Sequence, residues 1–213
     1  MPRKKIGAPS LSALVREVRA CRICEQDLPL GPRPVLRATR TARLLLVGQA
    51  PGVRVHETGI PWNDPSGDRL RAWLDVSREI FYDDARIAII PMGLCYPGRH
   101  ARGGDLPPRP ECARTWFSRL LECLPNVELT LLIGQYAQRY HLADRAKSSL
   151  AETVQAWREY LPRHLPLPHP SFRNLQWFAR RPWFEAEVLP EVRRRVHVVL
   201  FRDPPERSRH HGV

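Results

Sequence analysis

Short apolar runs alternate along this chain with stretches of helical periodicity. The runs are RLLLV at 43–47, RIAII at 86–90, ELTLLI at 128–133 and VHVVLF at 196–201. Each has the length of a buried strand, and the helical spacing between them is typical of parallel strands joined by helices. We therefore expect an α/β fold in which helices cover both faces of a central, mainly parallel four-stranded sheet.

Turn-forming residues follow the first predicted strand as Gly48-Gln49-Ala50-Pro51-Gly52. Ligands in open α/β sheets bind outside the carboxyl ends of the strands, so we expect a functional site at this turn. An ordinary connection between a strand and a helix is the alternative. The loops that carry the polar and aromatic residues of interest are 48–68, 91–98 and 168–174, the last being part of a longer predicted loop over 165–174.

The charge balance favours a polyanionic partner. The chain of 213 residues carries 34 basic and 22 acidic side chains, a formal net charge of +12, which makes nucleic acid the expected partner. We predict one domain over residues 1–205 and a flexible basic tail over 206–213. No apolar stretch has the length of a membrane span and no signal-peptide core follows the first residues, so we expect no membrane partner and a cytoplasmic location.

Four of the five cysteines are spaced like metal ligands. Cys21 and Cys24 form a CxxC pair, Cys95 follows the second predicted strand, and Cys112 opens the next helix. Four thiolates from two distant segments suit an iron-sulfur cluster or a zinc site. Scattered core thiols are the alternative, and we expect Cys123 to be a small buried hydrophobe.

Several segments resemble motifs of the uracil-DNA glycosylase superfamily. In chain order they are GQAPG at 48–52, TGIPWNDPSGDRL at 58–70, LCYPG at 94–98 with PPRPEC at 107–112, and HPS at 169–171. The resemblance covers most of the chain and is nearest to the iron-sulfur branches, families 4 and 5. It implies a three-layer αβα sandwich, base-excision DNA repair, bacterial-type association with the nucleoid through DNA, and a monomer. It also implies a 4Fe-4S cluster rather than zinc at the four cysteines.

The same resemblance implies roles for individual residues. Chemistry on a base requires the base to leave the stack and enter a pocket. Trp62 falls where family 4 has a phenylalanine that stacks on uracil, and His169 matches the histidine near uracil O2 that stabilises the departing base. We further expect Gln49, Ala50, Asn63 and Gly93 to contact uracil and Ser171, Phe172, Arg173 and Asn174 to contact DNA.

Two positions depart from the family pattern. Ala50 occupies the place of the family 1 aspartate that orients water, so Gln49 and Asp64 become the candidates for that role. Where family 4 carries its base-reading asparagine, this chain has Pro91-Met92-Gly93. Asn63 or the backbone of 92–94 is the expected substitute.

The leading hypothesis is a monofunctional DNA glycosylase that flips out uracil and hydrolyses its N-glycosidic bond by a dissociative route, leaving an abasic site. The departures keep two alternatives open. One is a glycosylase for other deaminated bases such as hypoxanthine or xanthine. The other is a nucleic-acid-binding protein that has kept the fold without turnover.

Overall fold

The structure is a computed structural model and describes residues 10–101 and 103–202. Its strands are β1 (Leu44–Val47), β2 (Ile87–Ile89), β3 (Leu129–Ile133) and β4 (His164–Leu167). They form one sheet in the order β2-β1-β3-β4, and every neighbouring pair is parallel. The predicted four-stranded parallel sheet is therefore confirmed. The predicted tail at 206–213 and the segment 1–9 lie outside the described residues.

Helices precede the first strand, connect the strands and follow the last strand. They are α1 (Leu11–Arg19), α2 (Val53–Thr58), α3 (Pro65–Leu74), α4 (Arg78–Phe81), α5 (Pro110–Cys112), α6 (Ser118–Glu122), α7 (Gln135–Leu142), α8 (Leu150–Gln155), α9 (Leu175–Ala179) and α10 (Leu189–Phe201). A π-helical turn, Ala113–Phe117, joins α5 to α6, and a second, Phe184–Val188, leads into α10. Across 10–101 and 103–202, none of the helices has the length and apolar character needed to cross a bilayer.

Alternate residues of the strands enter two separate cores. Leu44 and Leu46 pack in one core with the buried faces of α3 and α10. Leu45 and Val47 pack in the other with α1, α6 and α7. Because successive strand residues point to opposite faces, the sheet is apolar on both sides and each side is covered by helices. The result is the expected three-layer αβα arrangement.

The prediction of a closing strand at 196–201 is wrong, because these residues are the second half of α10. Its buried residues recur at helical spacing as Leu189, Val192, Val196, Val199 and Leu200. Taken without the first turns of α10, this run of β-branched residues resembles a strand. Over the whole of α10, however, the buried residues follow the 3.6-residue period of a helix.

The fourth strand lies instead at β4, which overlaps a segment expected to be a loop, 165–174. β4 is an edge strand that pairs only with β3 among the described residues. An edge strand tolerates Pro166 because the missing N–H removes no bond from a central ladder.

The parallel sheet brings the predicted loops to one edge. Backbone hydrogen bonds continue the pairing of β1 and β2 beyond the strands, since the Met92 N–H donates to the Gly48 oxygen (2.9 Å) and the Gly93 N–H to the Gln49 oxygen (2.8 Å). β4 ends at the same edge and leads into His169. This edge therefore carries the candidate site.

Candidate active site

A cavity of about 260 Å³ opens at the carboxyl edge of the sheet. Residues from all three predicted loops contribute to it, together with the long loop after β2. The polar and aromatic lining includes Gln49, Trp62, Asp64, Asp105, His169 and Arg173. The fold thus places one cavity where the sequence analysis expected a functional site.

Two glycines let the backbone approach Trp62 closely. A β-carbon at Gly48 would stand 2.9 Å from Cζ2 of the indole, and one at Gly67 only 1.8 Å from the Trp62 carbonyl oxygen. Trp62 itself adopts a left-handed φ of 57°, which is unusual for a bulky residue and is a mark of local strain often seen at functional sites. The indole is therefore held in one place in the cavity lining by its backbone surroundings.

His169 lies beside this indole. The two ring centroids are 5.5 Å apart and the planes are inclined by 31°. Pro168 and Pro170 flank the histidine, and the Asn174 side-chain amide donates to the His169 carbonyl oxygen at 2.8 Å. Asn174 therefore holds the loop that presents the imidazole.

Burial lowers the pKa of His169 below its ordinary value, and the nearby Asp64 carboxylate opposes part of that effect. The imidazole is consequently neutral near pH 7 and has one N–H to donate. Among the described residues its ring nitrogens have no hydrogen-bond partner, so they remain available to a ligand in the cavity.

Asp64 and Gln49 both line the cavity, and each also has a structural contact. Asp64 is the N-cap of α3, and its Oδ1 accepts the Gly67 N–H at 2.8 Å, a contact that stabilises helix starts. The Gln49 Nε2 donates to the Leu106 carbonyl oxygen at 2.9 Å. The two side chains predicted to position water therefore both hold loops together through these hydrogen bonds.

Asn63 and Gly93 do not line the cavity, although uracil contacts were expected for both. The Asn63 Oδ1 accepts a hydrogen bond from Arg78 at 3.2 Å. A β-carbon at Gly93 would lie 2.9 Å from the Pro108 Cβ and 3.3 Å from the Ala50 Cβ. Gly93 therefore stands behind Ala50, which does reach the cavity.

The segment after His169 projects an apolar tip beside the cavity. Ser171 accepts the Arg173 N–H at its Oγ (3.2 Å) and opens a one-turn helix, Phe172–Asn174. Phe172 and Leu175 remain 55% and 54% exposed. The Arg69 guanidinium lies 4.3 Å from the centre of the Phe172 ring. Such an apolar tip next to cations is typical of surfaces that enter a nucleic-acid duplex.

Asp105 is a cavity residue that the sequence analysis did not select. It lies on the long loop after β2 and follows Gly103-Gly104 directly in the sequence. Partial burial raises the pKa of its carboxyl group. In the sequence, Asp105 could have been selected as a carboxylate next to two glycines in a long loop, because functional residues concentrate in such loops.

The four predicted cluster ligands line one small apolar cavity of about 20 Å³. They are Cys21, Cys24, Cys95 and Cys112. The Leu94 N–H donates to the Cys112 Sγ at 3.5 Å, and burial raises the pKa of Cys95 to about 12 and that of Cys112 to about 11. In the part of the chain that the structure describes, no three His, Cys, Asp or Glu side chains form a group that could hold a metal ion.

The fifth cysteine lies outside this cavity. Cys123 is the C-cap residue of α6 and is buried in the core, in line with the expectation of a small buried hydrophobe.

Comparison with known proteins gives the family. Residues 37–193, more than half of the 213, match the family model described as the Uracil DNA glycosylase superfamily. Among solved structures, the chain is similar to the solution NMR structure of a candidate uracil DNA glycosylase from Methanosarcina acetivorans. That similarity has a TM-score of 0.45 at 18% sequence identity and covers 75% of this chain and 94% of the other. On the family match, this chain belongs to the uracil DNA glycosylase superfamily.

Proposed function

We propose that the protein removes uracil from DNA by hydrolysing the N-glycosidic bond, leaving an abasic site. The observation that carries this proposal is the neutral imidazole of His169 beside the indole of Trp62 in one cavity of a superfamily member. Together they offer a stacking surface and a hydrogen-bond donor for a base taken out of the duplex.

The size of the cavity suits a single base. Its volume of about 260 Å³ lies near the small end of the range for ligand sites, roughly 300 to 1,000 Å³. Trp62 would stack on the flipped base, since aromatic side chains bind nucleobases through their faces.

His169 would act on the leaving base. As the bond between C1′ and the base nitrogen breaks, negative charge builds on the base oxygen. The imidazole N–H would donate to that oxygen, and the low polarity around His169 would strengthen the interaction. A lowered pKa keeps the ring neutral, so it donates a hydrogen bond without first needing to be protonated.

The surface next to the cavity would bind the duplex. Phe172 and Leu175 would fill the space left by the flipped base, and Arg69 and Arg173 would contact phosphates. The net charge of +12 supports DNA as the partner, because basic surfaces bind it through counterion release.

The four cysteines would hold a 4Fe-4S cluster. Two features of the residues favour such a group, although no three of the described side chains are arranged to hold a metal ion. All four thiols line the same cavity, and the Leu94 N–H is directed at the Cys112 sulfur, as is common around cluster thiolates. The cluster would supply a covalent brace between the amino-terminal CxxC segment and the loop after β2. Hydrolysis of a glycosidic bond transfers no electron, so the group has no redox part in it.

The experiment is a base-release assay with anaerobically purified protein. Oligonucleotides carry one uracil opposite guanine, opposite adenine or in a single strand, with hypoxanthine and xanthine duplexes alongside. Alkali then cleaves the abasic sites. Strand scission at uracil that is absent from an identical His169→Ala preparation would support the proposal. Scission only at the purine lesions, or tight DNA binding without scission, would contradict it.

A further inference from the structure

Asp105 is held in the cavity by a fixed loop. The Leu106 N–H donates to the Gly98 oxygen (2.9 Å), and the Leu106 oxygen accepts the side-chain amide of Gln49 (2.9 Å). Asp105 and Arg99 form an antiparallel bridge across the same hairpin. The loop that carries Asp105 is therefore fixed to the turn after β1. Its carboxylate lies in the lining of the cavity that also contains Trp62 and His169.

The pKa of Asp105 depends on its partial burial and on nearby charged side chains. Burial raises the pKa of the carboxyl group and Asp64 raises it further, whereas Arg173 and Arg99 lower it. Burial raises the pKa of the Tyr96 phenol, and the Asp105 carboxylate raises it further. Partial desolvation makes a carboxylate a better proton acceptor, and the two arginines oppose part of the rise in its pKa.

Asp105 also differs from Asp64 in its hydrogen bonds. The Asp64 Oδ1 is occupied by the cap of α3, whereas the Asp105 carboxylate makes no hydrogen bond to other described residues. Both of its oxygens are therefore available to a water molecule in the cavity.

We propose that Asp105 is the catalytic carboxylate that positions the attacking water and takes its proton. This inference rests on the proposed glycosylase function. The bond between C1′ and the base nitrogen breaks and its electron pair leaves with the base. The water oxygen then bonds to C1′, one water proton passes to Asp105, and the base anion is later protonated from solvent.

The test compares single-turnover base release by the wild type, Asp105→Asn and Asp64→Asn. Asp144→Asn is the matched control, because Asp144 is exposed and does not line the cavity. Affinity is measured with an oligonucleotide carrying 2′-fluoro-2′-deoxyuridine, which resists hydrolysis. We expect Asp105→Asn to slow release about 10²- to 10⁴-fold, the usual contribution of a general base, with unchanged or tighter affinity. The acid limb of the rate against pH should disappear in this variant only.

Two results would overturn the inference while leaving the proposed function intact. One is an active wild type with Asp105→Asn within threefold of its rate. The other is a loss of affinity that matches the loss of rate, which indicates a binding role. A wild type that releases no base from any oligonucleotide would overturn the proposed function and this inference with it.

Discussion

The indole of Trp62 and the imidazole of His169 lie in contact, with ring centroids 5.5 Å apart and planes inclined by 31°. Trp62 comes from the loop between α2 and α3, and His169 from the loop after β4. The fold therefore places an aromatic surface and a neutral hydrogen-bond donor side by side in the cavity lining.

Replacing His169 with alanine should slow uracil release about 10²- to 10³-fold, as loss of one donor to a developing charge does elsewhere. Affinity for the oligonucleotide carrying 2′-fluoro-2′-deoxyuridine, which is not cleaved, should change much less, because the charge develops only in the transition state. Single-turnover rates and fluorescence anisotropy measure the two quantities. His197→Ala is the control, since this exposed histidine lies on α10. Equal losses of rate and affinity in His169→Ala would contradict the proposed role.

Trp62→Ala should weaken binding of the flipped base by about 1 to 3 kcal/mol, the usual contribution of base stacking on an aromatic ring. Trp62→Phe should retain most of the activity, because a smaller ring still offers a face to the base. The measurement is the uracil-dependent part of DNA affinity, obtained by comparing duplexes with and without the lesion. If Trp62→Phe were as defective as Trp62→Ala, stacking would not be the reason for the loss.

The double variant Phe172→Ala, Leu175→Ala should lose activity on duplex uracil about tenfold or more while remaining active on single strands. Both side chains are more than half exposed, so the fold should be unaffected. In a duplex, the energy of unstacking a base, a few kcal/mol, must be offset by groups that fill the gap. Val198→Ala is the control, because Val198 is also exposed, at 43%, but lies on α10. Equal losses on both substrates would contradict the proposed wedge.

Cys112→Ala should abolish cluster binding, whereas Cys123→Ala should retain it. Cys112 lines the cavity shared by the four cysteines, and Cys123 lies in the core at the C-terminal end of α6. Iron and acid-labile sulfide are assayed after anaerobic purification, with about four iron atoms per chain expected from a 4Fe-4S cluster. Zinc without sulfide in the wild type would contradict the proposed cluster.

His141 should make the fold sensitive to acid. Burial lowers its pKa to about 4, and the neighbouring His164 adds to this effect. Between the unfolded value near 6.5 and the folded value, the unfolded chain binds a proton that the folded chain does not, so stability falls as pH falls. Between about pH 7.5 and about pH 5 this linkage amounts to about 2 kcal/mol.

Urea unfolding of the wild type and His141→Phe at those two pH values measures this effect. Phenylalanine keeps an aromatic ring beside Phe117 and Tyr140 but cannot bind the proton. Its loss of stability on acidification should be smaller by about 2 kcal/mol. An equal loss in both proteins would assign the acid sensitivity to other groups.

Much of the architecture follows from local patterns in the sequence. The runs that became β1, β2 and β3 are short, apolar on both faces and separated by helical periodicity, which is sufficient to predict a parallel sheet between helices. The spacing of the cysteines and the order of the motifs can likewise be recognised in the amino-acid sequence alone. The local pattern failed at β4 and α10, because a proline-rich edge strand looks like a loop and a β-branched helix end looks like a strand.

The tertiary structure alone decided which side chains share the cavity. Asn63 is turned to Arg78, and Gly93 lies behind Ala50, although both stand next to cavity-lining segments in the sequence. Asp105 reaches the cavity because its hairpin is bonded to Gln49 across the loops. Side-chain direction in loops depends on long-range hydrogen bonds and close backbone approach, which no periodicity records.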